Sequence, residues 1–113
     1  MPSSNDYLIY VLDLLKEVDD VHYKKMMGEY ILYSGQIIFG GIYDNRFLIK
    51  KTESSSLLKL KQVVPYPNAK PMLLIDSEDS DVVKEIVDLV IKDIIKNGWH
   101  AFFIFKSDTI FFN

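Results

Sequence analysis

Residues 21–51 read VHYKKMMGEYILYSGQIIFGGIYDNRFLIKK. Apolar, aromatic and β-branched residues recur here at a period near two, the spacing of half-buried strands. Three β-rich segments emerge, Val21 to Tyr33, Gln36 to Tyr43 and Arg46 to Lys51, interrupted only by the dipeptides Ser34-Gly35 and Asp44-Asn45. Gly, Asn and Asp tolerate the positive φ that tight hairpin turns demand. The spacing therefore predicts two successive hairpins, an antiparallel meander with Gln36 to Tyr43 as its central strand. Gly40-Gly41 inside that strand points to a close approach, read here as a helix crossing over the sheet.

The flanks change period. Leu8, Val11, Leu12, Leu15 and Val18 fall at three- and four-residue steps, which predicts a helix from Asn5 to Val18. Ser3 and Ser4 stand at its N-cap, and Asp19-Asp20 ends it. Beyond the meander, Leu57, Leu60 and Val64 suggest a short helix from Thr52 to Lys61. Pro65, Pro67 and Pro71 force an extended passage, and Met72 to Ile75 reads as a further strand. Val83, Ile86, Val87, Val90, Ile91, Ile94 and Ile95 mark a broad helical face over Val82 to Ile95, with Gly98 as its stop. Trp99 to Phe112 then reads as an aromatic hairpin around Lys106-Ser107-Asp108, or a tail of the same domain. Left in water it would aggregate, so it is expected to cover a sheet edge or join two copies in a homodimer. The fold class is α+β: a meander sheet of four or more strands with the first and last helices on one face.

A chain of 113 residues and 13.1 kDa is the size of one domain. The division expected is 1–97 for the main body and 98–113 for the aromatic segment. No cysteine is present, so disulfides and thiolate chemistry are excluded. No apolar run reaches about 18 residues, which argues against a membrane span. The first residues lack the basic-then-apolar pattern of a leader, and the cytoplasm is the expected compartment. The net charge of −3 is unevenly distributed. Between residues 22 and 70, Lys24, Lys25, Arg46, Lys50, Lys51, Lys59, Lys61 and Lys70 face only Glu29, Asp44 and Glu53. Both ends are acidic. A basic middle can meet nucleic acid or an acidic partner, or it can be neutralised by the ends folding over it.

Signatures of catalysis are missing. His22 and His100 lie on unrelated segments, and no nucleophile elbow, phosphate loop or dinucleotide fingerprint occurs. Asp76-Ser77-Glu78-Asp79-Ser80-Asp81 fails as a calcium loop, because the sixth and twelfth positions hold Asp81 and Val87 instead of glycine and glutamate. Carboxylates and serines at that position cap a helix instead. No catalytic residue, cofactor or metal ligand is therefore expected. Tyr23, Tyr30, Tyr33, Tyr43 and Phe47 interleave with cations, the mixture of a single-strand platform and equally of any half-buried antiparallel sheet.

Lys24-Lys25-Met26-Met27-Gly28, the strand to Tyr33, the turn at Gly35, the Asp44-Asn45 turn and Phe47-Leu48-Ile49-Lys50 together resemble the N-terminal domain of the TfoX (Sxy) family of competence regulators. Pro65-Tyr66, Met72 and the acidic-capped helix follow in the order of that family, over about residues 7–96. Met27 stands where the family usually has phenylalanine, and Glu29 and Ile31 where glycines are common. The resemblance implies a regulatory, non-enzymatic domain that binds a protein partner, with a link to transcription or competence. Within the motif, Met26, Gly28, Tyr30 and Gly35 are expected to be structural, Gly28 supplying backbone freedom and Met26 filling core. The candidate partner surface is Lys24, Lys25, Arg46, Lys50 and Lys51. The alternative is a nucleic-acid-binding module using the same basic, aromatic segment.

Overall fold

Turn chemistry sets the strand boundaries. The computed structural model of the chain describes residues 2–109, with side chains through residue 97. Its meander has three tight connections, one more than the two dipeptide breaks predict. Met27 (φ 53°) and Gly28 (φ 83°) form a two-residue turn that splits the first β-rich segment into β1 (Val21–Met26) and β2 (Glu29–Ser34). Positive φ at both central residues is the condition for a hairpin turn that follows the strand twist. Asp44 and Asn45, both at φ 53°, do the same between β3 (Ile37–Ile42) and β4 (Phe47–Lys50). Tyr43 and Arg46 close that turn with reciprocal backbone hydrogen bonds of 3.0 Å. Gly35, at φ 59°, turns β2 into β3.

The predicted helix at Thr52 to Lys61 is a correction. Only one 3₁₀ turn forms, Ser55–Leu58, ended by Lys59 in the left-handed region at φ 58°. Leu57 points into water at 76% exposure, so its spacing with Leu60 is not an apolar stripe. The turn is held by polar groups instead. Fully buried Ser55 donates from Oγ to the Lys50 carbonyl at 3.1 Å, and its Oγ accepts from the Thr52 N–H at 2.8 Å. The chain then enters β5 (Gln62–Val63), loops, and returns as β6 (Met72–Leu74). The six strands lie in the order β1-β2-β3-β4-β6-β5, every pair antiparallel. The α+β class with an antiparallel sheet is as expected.

Helix α1 (Asn5–Leu14) is capped by Ser4, whose Oγ accepts from the Tyr7 N–H at 3.1 Å. It stops four residues earlier than the apolar spacing suggests, yet Leu15 and Val18 remain buried. Helix α2 runs from Ser80 to Thr109. Val83, Val87 and Val90 are fully buried in one cluster with Leu8, Val11, Leu32, Phe39, Ile42, Phe47, Ile49 and Leu73. Both helices and one sheet face thus share a single core.

The aromatic segment is the second correction. The backbone from 99 to 109 continues α2, so the predicted hairpin is not there and Gly98 does not end the helix. A glycine costs only about 1 kcal/mol inside a helix, and no proline interrupts this stretch. The homodimer through Trp99–Phe112 loses the hairpin on which it was built, and residues 110–113 lie outside the described part. Gly40 is the third correction. A Cβ there would run into the Leu48 carbonyl and the Ile49 backbone, so the close neighbour is strand β4 and not a helix.

A polar knot joins the chain start to two turns. The Glu29 carboxylate accepts from the Ser3 hydroxyl (2.6 Å), the Ser3 N–H (3.1 Å) and the Asp44 N–H (3.1 Å). Ser3 Oγ accepts from the Asn45 N–H at 3.0 Å. Pro2 packs on Gly28, where a Cβ would stand 3.0 Å from the proline ring.

Candidate partner-binding face

Strand register separates the sheet into two faces. Lys24, Ile31, Gly41, Leu48 and Leu74 lie across from one another on the face away from the helices. Leu48 is fully buried there, outside the helix-packed cluster. The loop of residues 64–71 folds back onto this face. Its prolines restrict the backbone, and the Ala69 N–H donates to the Tyr66 carbonyl at 3.1 Å to close a turn. Tyr66 thereby meets Tyr43, with ring centroids 6.1 Å apart and planes tilted by 48°. Burial pushes the Tyr43 hydroxyl above its ordinary pKa, with Tyr66 and Glu29 adding to the rise, so it stays protonated at neutral pH.

The tyrosine pair divides two grooves of similar size and different chemistry. One, about 500 Å³, lies between Met26, Met27, Ile31 and the rings of Tyr43 and Tyr66, with Glu29 the one charged lining residue among those described. Met27 is 96% exposed, because its place in the turn points it away from both strands. The other groove, about 460 Å³, is lined by Tyr43 and Tyr66 together with Lys50, Lys51 and Lys70. Among the described residues, no carboxylate lines it.

The five candidate cations do not form one surface. Lys24 and Lys25 are consecutive strand residues and point to opposite faces. Lys25 turns toward the helix side, its Nζ 5.9 Å from the Tyr30 ring centre, where Tyr30 also meets Tyr23 edge-on at 5.7 Å. Arg46 belongs to the hairpin turn: its Nε donates to the Tyr43 carbonyl at 3.0 Å, at the far end of the sheet beside Tyr7 and Tyr10. Only Lys50 and Lys51 share a groove, and Lys51 Nζ donates to Gln62 Oε1 at 2.6 Å. Lys70, Tyr66 and Met27 are the additions. Strand alternation would have separated Lys24 from Lys25, but nothing in the sequence aligns a loop lysine with β4.

Among the motif residues, Tyr30 is core at 4% exposure, and Gly28 and Gly35 take the positive φ expected of them. Met26 does not fill core. It is 45% exposed at the rim of the apolar groove. The acidic stretch caps backbone: Asp79 accepts from the Asp81 N–H at 2.9 Å and Ser77 from the Asp79 N–H at 3.1 Å. His22 lies 2.9 Å from Asp20 on the surface. Among the described residues, no group of three or more metal-ligating side chains converges, and no helix is long and apolar enough to cross a membrane.

On the far side of the loop, Asp93 of α2 ties the segment after β4 to the helix. The Ser54 N–H donates to it at 2.7 Å and holds its carboxyl below the ordinary pKa, with the Thr52 and Ser54 hydroxyls adding to the effect. The segment that follows Lys51 is therefore braced against α2. No protein-family model matches the chain, and no curated protein does.

Proposed function

We propose that the domain is a non-enzymatic, TfoX-like regulatory module of the cytoplasm that docks an extended acidic segment of a partner protein along β1. An apolar side chain of that segment seats beside Met26 and Met27. The observation that carries this reading is the 96% exposure of Met27 at the rim of a groove whose walls are Met26, Ile31 and two tyrosine rings. A polarizable, unbranched side chain adapts readily to an apolar partner. Burying one such side chain is worth roughly 1.5–3 kcal/mol.

Strand β1 supplies the main-chain part. It sits at the sheet edge and, among the described residues, pairs only with β2, so its outer N–H and C=O groups are open to an added strand. Lys24 and Lys25 place a cation on each of its faces, which favours carboxylates on the incoming strand. A second copy is disfavoured, because antiparallel β1–β1 pairing over Val21–Met26 would bring Lys24 of one copy diagonally beside Lys25 of the other on the same face. The TfoX resemblance adds the regulatory character and leaves the partner's identity to experiment.

A photo-crosslinking residue at Met27 tests the reading in the native cytoplasm. It should give a discrete protein adduct that the same probe at Ile9, 57% exposed on α1, does not give. Lys24→Glu with Lys25→Glu should abolish the Met27 adduct. Equal adducts from both positions, or an adduct that survives the charge reversal, would refute it.

A further inference from the structure

We infer that the lysine-lined groove beside the Tyr43–Tyr66 pair binds a nucleotide, with the base against Tyr66 and the phosphate among Lys50, Lys51 and Lys70. The site goes beyond partner docking on β1 and uses different residues, apart from the shared tyrosine wall.

Three of the chain's thirteen cations line this one groove, on a protein whose net charge is −3. They come from β4, the residue after it and the 64–71 loop, so the fold and not local sequence brings them together. Gathering like charges is unfavourable without a counter-charge, and among the described residues the groove lining contains none. Among the described residues, neither Lys50 nor Lys70 makes a side-chain hydrogen bond or ion pair, and Lys51 bonds only to a neutral amide. The cations are therefore free to meet an anion from outside.

The aromatic wall defines which anion. Tyr66 is 57% exposed and is backed by partly buried Tyr43, while prolines at 65 and 67 stiffen its backbone. An open ring with a supported back and cations within the same groove is the arrangement on which bases stack while phosphates are held. A volume near 460 Å³ lies within the range of small-molecule sites. Inorganic phosphate or a carboxylate would use the lysines and leave the ring idle. Lysines hold phosphate as point charges and lack the planar fork that reads guanine, so little base preference is expected. The shared chemistry is a phosphorylated base, which can arrive as a free mononucleotide or as one unit of a single strand.

Amide shifts of the labelled full chain, titrated separately with AMP, adenosine, inorganic phosphate and a short oligothymidylate, test the site. AMP, the oligonucleotide or both should move the amides of Lys50, Lys51, Tyr66, Ala69 and Lys70. Adenosine and inorganic phosphate should each bind at least tenfold more weakly than the ligand that moves them. Saturation by AMP identifies a mononucleotide site, and response to the oligonucleotide alone identifies a single-strand site. In the latter case log affinity should fall with log salt at a slope of about −2 for three phosphate contacts. Tyr66→Ala should weaken binding roughly tenfold, the scale of a lost stacking platform. Lys50→Glu with Lys70→Glu should abolish it with the circular dichroism unchanged. Met27→Glu, which blocks partner docking, should leave it intact, so the two readings fail independently. No response to either nucleotide ligand, shifts scattered beyond the groove, or full binding by the folded lysine variant would overturn the site.

Discussion

On the helix-covered face of the sheet, Leu32, Phe39, Ile42, Phe47, Ile49 and Leu73 are all at most 2% exposed, sealed by valines of α1 and α2. On the opposite face Leu48 is fully buried, but the same side also carries Tyr66 at 57%, Met26 at 45% and Ile38 at 37% exposure. The same backbone supports both. What differs is the cover: two helices give one face a continuous apolar lid, whereas a short proline-rich loop leaves grooves to either side of its tyrosine. Stability is concentrated on the first face, and both proposed binding sites fall outside it, as expected where rigid elements carry the core and loops carry binding.

The sharpest way to break this comparison is to charge the closed face. Val87 of α2 is fully buried among apolar side chains. Val87→Asp puts a carboxylate there with no partner and should cost several kcal/mol, enough to unfold a domain of ordinary stability. Thermal melts followed by circular dichroism check it, and a melting temperature within a few degrees of the parent's would show that α2 does not seal the sheet.

A matched pair sharpens the contrast. Leu32 and Leu48 are both fully buried, on opposite faces of the same sheet. Leucine-to-alanine changes cost about 2–5 kcal/mol, and the cost grows with the cavity that the surroundings fail to fill. Leu32→Ala, walled by helices, should fall near the top of that range. Leu48→Ala should fall near the bottom, because the 64–71 loop can settle inward. Urea unfolding of both variants measures the gap. Equal losses would mean that the loop is as firm a cover as the helices.

The two faces also differ in how far they can be read from sequence. Leu8, Val11, Val83, Val87 and Val90 announce the closed face through helical spacing, and Asp44-Asn45 announces a turn through its residue types. Met27-Gly28 escaped because a methionine at positive φ is rare and sits inside an apolar run. The Thr52 to Lys61 stretch misled for the opposite reason, since Leu57 and Leu60 have helical spacing while Ser55 and Thr52 spend their hydroxyls on a tighter turn. The proposed nucleotide groove depends on residues 20 positions apart, Lys50 and Lys70, brought together by a loop with no period. Lys50 and Lys51 were legible as exposed cations, but neither Lys70 nor Tyr66 carries a local signal of where the loop folds.

The smallest expected effect falls on the open face itself. Lys50 and Lys51 are exposed, and Lys51 has only its bond to Gln62 to lose. Solvated charges contribute little to folding, and a bond between two exposed side chains is worth at most about 1 kcal/mol. Replacing both by glutamate also relieves the crowding of three cations in one groove, which offsets part of that loss. Lys50→Glu with Lys51→Glu should therefore change stability by no more than about 0.5 kcal/mol, the usual span for surface substitutions. Urea midpoints at low and moderate salt check it: the midpoint should stay close to the parent's in both, with any gain from relieved repulsion fading as salt screens it. A loss comparable with that of Leu48→Ala would show that the lysines brace the loop, and the groove would then belong to the structure that supports the face and not to the surface that binds.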